Sequence, residues 1–250
     1  MNNTEDLIKR AEDLAARCEK TSTVTCTNFL TPAECLELKH RLISRKDIKC
    51  VIYGGADGCE RCIAFFLPWY TEPEELDYSI YISAIKIQSF FGEPGHRDYL
   101  GAVLGLGIGR EWIGDIFVEN DTALLFCLPS VARTIVSELD KVGRCGVKTG
   151  LIDLNEVTVP QRRVKKLSFT VKSLRLDAVT GDMFGISRTK ASELIRLGAV
   201  SLNYEQCLKT DAEINEGDII SVRGKGKGCV SSVGGKSKKD RLFIEAELYQ

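Results

Sequence analysis

The fold of the C-terminal part of the chain is indicated by residues 174–198, which read LRLDAVTGDMFGISRTKASELIRLG. Apolar residues recur at helical spacing before Gly185, and the same spacing returns after Ser187. Glycine commonly ends a helix, as Gly185 and Gly198 would here, and serine is a common N-cap. The stretch therefore predicts two short helices joined by a tight turn, an arrangement of the helix-turn-helix kind.

Short strands are predicted on both sides of this helix pair, where the residue pattern favours extended backbone. The predicted strands lie at 167–174, 200–202, 204–208 and 218–223. Together with the two helices they make up an expected C-terminal domain over residues 165–250.

Positive charge is concentrated in this part of the chain, although the net charge of the whole is only −1. From Pro160 to Gln250 there are 17 Lys/Arg and 11 Asp/Glu, whereas the rest of the chain has 17 and 24. Such segregation predicts a polyanionic partner, because clustered Lys and Arg bind phosphates. The predicted RNA ligands are the basic and polar residues of the leading segment, the helix pair and the glycine-rich segment after it: Arg162, Arg163, Arg175, Ser187, Arg188, Thr189, Lys190, Arg196, Asn203, Arg223, Lys225 and Lys227.

Residues 175–223 resemble the alpha-L RNA-binding domain, which is named after a ribosomal protein of the small subunit. The matching segments are RLD (175–177), ISRTKA (186–191), LIRLGAV (194–200), LN (202–203) and GDII (217–220). When HRDYLGAVLGLGI (96–108) and RE-x-IGDI (110–116) are added, nearly the whole chain resembles the YlmH family of Gram-positive bacteria.

The resemblance to the YlmH family implies a fold and a role. It implies three domains and a place in ribosome-associated quality control. There the protein would bind the large ribosomal subunit, through rRNA and peptidyl-tRNA, after a stalled ribosome has split. It would then support C-terminal tailing of the nascent chain. A cell-division factor is the alternative role that the same resemblance allows.

The middle of the chain, residues 76–160, predicts the order β-α-β-β-α-β of a ferredoxin-like, RRM-like domain. Strands are expected at 78–87, 113–118, 122–128 and 146–154, and helices at 97–108 and 129–142. RNA-recognition modules share this order, but their aromatic signature motif is absent here. A second RNA contact is therefore expected at the polar start of the first helix, at His96 and Arg97, rather than by base stacking on the sheet.

The first part of the chain, residues 1–73, predicts a small mixed α/β domain. Helices are expected at 7–18 and 31–44, strands at 49–53 and 62–67, and a linker at 68–73. Thr31, Pro32 and Glu34 have the spacing of a capped helix start.

Ten cysteines without an export signal predict reduced thiols and a cytoplasmic protein, and no apolar run is long enough to predict a membrane partner. Cys59 and Cys62 form one C-x-x-C pair, but a structural zinc site needs four ligands. The pair is therefore interpreted as hairpin cysteines, with metal or redox chemistry as the alternative.

The main enzymatic alternative is a pseudouridine synthase, because RLDAVTG at 175–181 is close to the catalytic motif of that class. Asp177 would then be the nucleophile and Arg175 its partner. In such enzymes, however, the motif lies in a large catalytic domain that follows the RNA-binding domain, whereas here it opens that domain. An RNA methyltransferase would need a cofactor loop after a strand, and the glycines at 105–109 have the wrong spacing. We therefore expect a monomeric RNA-binding protein with no catalytic residue, no cofactor and no metal.

Overall fold

The computed structural model describes residues 3–42, 49–159, 164–236 and 240–249. The chain divides into two compact units, Met1–Pro160 and Gln161–Gln250, and has the α+β composition expected from the sequence. Within the described ranges, no helix is long and apolar enough to cross a membrane. The first unit contains both the predicted N-terminal and the predicted middle domain, so the boundary between those two domains stays a prediction.

The N-terminal part of the first unit is a three-stranded antiparallel sheet with two helices. Its elements are α1 (Asn3–Thr21), β1 (Thr25–Cys26), α2 (Pro32–Leu42), β2 (Lys49–Tyr53) and β3 (Ile63–Leu67), with strand order β1-β3-β2. The predicted cap of α2 is present: the backbone N–H of Thr31 donates to Glu34 Oε2 at 2.7 Å, and that of Glu34 donates to Thr31 Oγ1 at 3.3 Å. Sequence analysis missed β1, since two residues show no periodicity.

The middle part of the first unit has the predicted β-α-β-β-α-β order with one additional short strand. Its elements are β4 (Ser83–Ser89), α3 (His96–Gly105), β5 (Ile113–Glu119), β6 (Thr122–Cys127), α4 (Pro129–Glu138), β7 (Lys141–Val142) and β8 (Cys145–Ile152). The strand order is β5-β6-β4-β8-β7, and all neighbours are antiparallel. The second helix was predicted to reach residue 142, but it ends earlier because residues 141–142 pair with 145–146 as a tight hairpin.

Two hydrophobic cores cover the two faces of this middle sheet. On one face, Tyr99 and Val103 of α3 and Ile135 of α4 are buried against the strands. On the other face, Phe65 of β3 is buried with Phe126 of β6. The N-terminal sheet thus packs on the middle sheet, which makes Met1–Pro160 one unit and leaves the start of α3 at the surface.

The second unit is a six-stranded antiparallel sheet that carries the helix pair. Its elements are β9 (Val164–Val171), α5 (Leu176–Met183), α6 (Arg188–Arg196), β10 (Val200–Leu202), β11 (Glu205–Gln206), β12 (Ile219–Val222), β13 (Gly226–Lys236) and β14 (Leu242–Tyr249). The strand order is β11-β10-β12-β13-β14-β9.

The long hairpin of β13 and β14 was not predicted: the glycine-rich segment at residues 223–227 was expected to be a loop, with no strand after it. The sequence of β13 is rich in glycine and poor in β-branched residues, so local pattern does not reveal it. Pairing with β12 on one side and β14 on the other holds it in the sheet. The predicted loop is instead a hairpin turn at residues 223–225 followed by the first residues of β13.

Candidate RNA-binding surface

The start of α6 is built by local sequence signals. Gly185 has a φ of 62°, which lets the chain reverse after α5. Ser187 caps α6 by accepting a hydrogen bond from the backbone N–H of Lys190 at 3.2 Å. A Cβ added to Gly181 would lie 3.1 Å from the carbonyl oxygen of Ile186, so the glycine allows the two helices to approach closely. The capping serine, Arg188, Thr189 and Lys190 are all exposed on this first turn.

A buried carboxylate holds two arginines at this end of the helix pair. Arg175 donates to Asp177 through Nε at 3.3 Å to Oδ1 and through Nη2 at 3.1 Å to Oδ2. Nη2 of Arg188 lies 3.1 Å from Oδ1 and 3.2 Å from Oδ2. The side chain of Asp177 is only 5% exposed, whereas those of Arg175 and Arg188 are 37% and 55% exposed. Two guanidinium groups are thus fixed at the surface with part of their donor edges facing solvent.

The electrostatics keep Asp177 charged. Burial by itself would raise the pKa of Asp177, but the hydrogen bonds and charges of Arg175 and Arg188 outweigh it and hold the pKa below its usual value. These three side chains therefore carry two positive charges and one negative charge at neutral pH, and the exposed carboxylate of Asp211 lies 4.0 Å from Nη1 of Arg175. Sequence analysis named Arg175 and Arg188 as RNA ligands but missed that they share one carboxylate.

The same geometry bears on the enzymatic alternative. Both oxygens of Asp177 are engaged by guanidinium groups, and the hydroxyl of Ser192 lies 3.5 Å from Oδ2. A nucleophile must be able to reach its substrate, and this carboxylate is enclosed by its partners. The arrangement favours a structural role for Asp177 over a catalytic one.

The far end of α6 lies beside the β12–β13 turn. The backbone N–H of Arg223 donates to the carbonyl of Ala199 at 2.8 Å, and Ala199 itself donates to the carbonyl of Leu194 in α6. Arg196 lies in the last turn of α6, so these backbone hydrogen bonds place Arg223 next to the end of its helix. Both arginines are exposed. Lys225 is exposed on the same turn.

The remaining predicted cations are more constrained. Lys190 forms an ion pair with Glu193 at 2.9 Å. Nζ of Lys227 lies 5.3 Å from the ring centre of Tyr204 and 5.6 Å from that of Tyr249, within cation–π range. In the parts of the chain that the structure describes, by contrast, Arg196, Arg223 and Lys225 make no side-chain ion pair.

Asn203, another predicted ligand, has its side chain bonded within a turn. Asn203 has a φ of 50°, and its side chain both donates to Asp218 Oδ1 at 2.8 Å and accepts from the N–H of Ile219 at 2.9 Å. Its observed role is to hold the turn after β10, and RNA binding by this residue stays a prediction. Arg162 and Arg163 lie outside the described residues.

The predicted second contact lies at the start of α3, where His96 and Arg97 are exposed. Asp98 caps the start of α3, because its Oδ2 accepts a hydrogen bond from the backbone N–H of Gly95 at 2.8 Å. Partial desolvation lowers the pKa of His96, and the charge of Arg110 acts in the same direction against Asp115. The neutral form of His96 is therefore favoured, and Arg97 supplies an exposed positive charge beside it.

The C-x-x-C pair lies in the loop before β3, as a hairpin interpretation predicts. Sγ of Cys62 lies 3.5 Å from the carbonyl oxygen of Cys59, and hydrogen bonding with Cys62 lowers the pKa of Cys35 in α2. Considering only residues with a described placement, no group of three or more His, Cys, Asp or Glu side chains is arranged to hold a metal ion.

Comparison with known proteins gives consistent matches. Residues 3–65 match the family model "YlmH, N-terminal", and residues 73–156 match "Putative RNA-binding domain in YlmH". The "Ribosome-associated protein quality control protein P2" of Bacillus subtilis (strain 168) is 33% identical over 221 residues, which are 88% of this chain and 86% of that protein. Among solved structures, the "Cell division protein ylmH from Streptococcus pneumoniae" has a TM-score of 0.52 at 21% identity, covering 62% of this chain and 94% of its own; it shares the fold.

Proposed function

The chain belongs to the YlmH family, and we propose that it is a non-enzymatic RNA-binding protein of ribosome-associated quality control. The name of its relative from Bacillus subtilis supports the role in quality control. The family model over residues 73–156 supports RNA binding. In finer detail, the proposed target is the large ribosomal subunit with its rRNA and peptidyl-tRNA after a stalled ribosome has split, and the proposed effect is support of C-terminal tailing.

The observation that carries the proposal is the set of exposed cations on α6 and the adjoining turn. Arg188 lies at the start of this helix, Arg196 at its end, and Arg223 on the turn tied to it through Ala199. Cations carried by a helix and by a turn bonded to it can contact neighbouring phosphates of a folded RNA. We propose that this face of the second unit is the main RNA-binding surface.

Asp177 has a positioning role in this proposal. A free arginine loses side-chain rotamer entropy when it binds a phosphate, which weakens the interaction. Because Arg175 and Arg188 are already held by the buried carboxylate, part of that entropy is lost on folding instead. The fixed guanidinium groups then favour an RNA whose phosphates match their orientation.

The domain organisation is part of the proposal. We propose an N-terminal α/β domain at 1–73, an RRM-like domain at 76–160 and an alpha-L RNA-binding domain at 165–250. The two family models match on either side of the first boundary, which supports it. The compact second unit, Gln161–Gln250, supports the last domain.

The salt dependence of RNA binding tests the surface. Each lost phosphate contact should reduce the slope of log K against log salt by about 0.7–0.9. Arg196→Ala with Arg223→Ala should therefore reduce it by about 1.4–1.8, measured with the full chain and purified large subunits. The matched control is Lys165→Ala with Lys166→Ala, which removes two exposed cations from β9, the opposite edge strand from β11. Equal slopes for the two variants would mean that net charge, not this surface, determines binding.

The proposed binding to split large subunits is tested by sedimentation, in a sucrose gradient, of a lysate in which ribosomes have been stalled. The protein should migrate with large subunits that carry peptidyl-tRNA, and the Arg196/Arg223 variant should move to the top of the gradient. Migration of the unmodified protein with free tRNA or precursor RNA would contradict a role on the split ribosome.

A further inference from the structure

Two neighbouring phenylalanines are exposed on the first unit. Phe90 and Phe91 directly follow β4 and are 68% and 61% exposed, whereas Phe65 and Phe126 of the same unit are fully buried. Exposing large apolar side chains at two consecutive positions costs free energy in water, because about 25 cal/mol is lost per Å² of apolar surface left unburied. An exposed apolar pair of this kind indicates an interaction surface.

Three segments of the chain meet at Phe90. The N–H of Phe90 donates to the carbonyl of Gly146 at 2.9 Å, and a Cβ added to Gly146 would lie 3.1 Å from Cδ2 of Phe90. A Cβ on Gly92 would likewise lie 3.1 Å from Sγ of Cys145. The loop after β4 therefore packs against the hairpin formed by β7 and β8.

The start of α3 completes the same surface. A Cβ added to Gly143 would lie 4.0 Å from Cβ of Asp98, so the β7–β8 turn touches the first turn of α3. Arg97 precedes that aspartate, Arg144 follows that glycine, and both arginines are exposed. We call the surface formed by Phe90, Phe91, Arg97 and Arg144 the Phe90–Phe91 patch.

The charge around the patch is mixed. Exposed cations in these segments are accompanied by the carboxylates of Glu93, Asp98 and Asp140, although that of Asp98 is engaged in capping α3. Attraction for phosphates is therefore modest, and the rings must supply most of any affinity. Stacking of nucleic-acid bases on aromatic side chains does so. The contribution of the rings depends little on salt, because neutral side chains release no counterions from the phosphates.

We propose that Phe90 and Phe91 stack unpaired bases of RNA while Arg97 and Arg144 contact the phosphates beside them. The inference rests on the proposed RNA-binding function and names a second, chemically different site for it. RNA recognition outside duplexes commonly uses aromatic rings as platforms for splayed bases. Here the platform is not the sheet face, where the sequence lacks the expected aromatic motif, but the loop that leaves the central strand β4.

Binding of the full chain to an unstructured RNA of about 12 nucleotides tests the proposal. Phe91→Ala should weaken this binding about 5- to 150-fold, and the loss should persist at high salt. Phe91→Trp keeps a large flat ring and should retain the affinity. Trp69→Ala is the matched control, because Trp69 is an 87% exposed aromatic of the same unit that lies after β3, outside the patch.

Cross-linking locates the contact independently of affinity. Ultraviolet irradiation of the full chain with the same oligonucleotide, followed by mass spectrometry, should give an RNA adduct on the peptide containing Phe90 and Phe91. Unchanged binding by Phe91→Ala together with no adduct there would overturn the proposal. So would a result in which the variant loses self-association or a protein contact but keeps its RNA affinity.

The two RNA proposals fail separately. If the Arg196/Arg223 variant loses large-subunit binding while Phe91→Ala binds the oligonucleotide normally, the proposed function stands and the base-stacking patch does not. If Phe91→Ala loses the oligonucleotide while the Arg196/Arg223 variant binds large subunits normally, the patch stands and the α6 surface does not.

Discussion

Replacing Asp177 by Asn tests whether the buried carboxylate organises the helix pair. The change preserves side-chain size but removes the negative charge that Arg175 and Arg188 share. A hydrogen bond to a charged group contributes about 1.5–3 kcal/mol net, against about 0.5–1.5 kcal/mol for a neutral one. Both guanidinium groups are partly in water, which replaces the carboxylate when it is lost, so we count one charged bond and not two. The expected cost to the local stability around Asp177 is about 2 kcal/mol.

Hydrogen exchange followed by mass spectrometry on the full chain measures this local cost. A loss of about 2 kcal/mol corresponds to roughly 30-fold faster exchange of amides that open with the helix pair. The acceleration should be confined to α5 and α6 and absent from Met1–Pro160. Asp182→Asn is the control, because Asp182 is an exposed acid on the same helix. If Asp177→Asn accelerated exchange no more than this control, the carboxylate would not organise the pair.

The pH dependence of this contribution has a definite sign. The pKa of Asp177 is lower in the folded protein than its usual value of about 3.9, so the folded state favours the ionised form. The stabilisation is therefore fully present above about pH 4 and is lost as the pH falls through the lower, folded pKa. The difference in unfolding free energy between the natural protein and Asp177→Asn, measured in urea by circular dichroism, should shrink below about pH 4. A difference that grew in acid would refute the assignment.

Three further predictions concern the first unit. Gly114→Ala would place a Cβ 2.7 Å from Cε1 of Phe29 and should cost about 1–3 kcal/mol, measured by urea unfolding through the fluorescence of Trp112. Thr31→Ala removes the cap of α2 and should cost about 1 kcal/mol, seen as faster hydrogen exchange in that helix alone. Burial raises the pKa of Cys127 to about 12, so iodoacetamide at about pH 8 should leave this thiol unmodified in the folded protein and alkylate it in urea.

The elements that could be predicted from the sequence are those that short local residue patterns determine. The few residues around Ser187 and around Thr31 are enough to predict a helix start, and both predicted caps are present. The hairpin of β5 and β6 follows from two apolar runs separated by a short turn. The β13–β14 hairpin has no such signal, since glycines and serines fill β13 and its order comes from pairing on both edges.

The site was predictable in composition but not in arrangement. A cluster of Lys and Arg can be counted, yet nothing local shows that Asp177 will pair with an arginine eleven positions later as well as with Arg175. Asn203 was predicted as an RNA ligand because it lies in a segment that resembles an RNA-binding domain. The structure shows that its side chain holds a turn, which the sequence did not reveal. Phe90 and Phe91 lie beyond the strand that was predicted at 78–87, and no local pattern shows that their side chains stay exposed.

The pairing of charges indicates how the second unit would select an RNA under the proposed function. If all its cations were free, affinity would follow net charge, and any polyanion would bind comparably. Instead Arg175 and Arg188 are oriented by one carboxylate and Lys190 by Glu193, which lowers the net charge of the surface and fixes its geometry. A phosphate gains most where its oxygens meet donors that already point the right way. The surface is therefore suited to discriminate among RNAs by backbone shape, which is what a protein would need in order to select one folded RNA target among many with the same charge density.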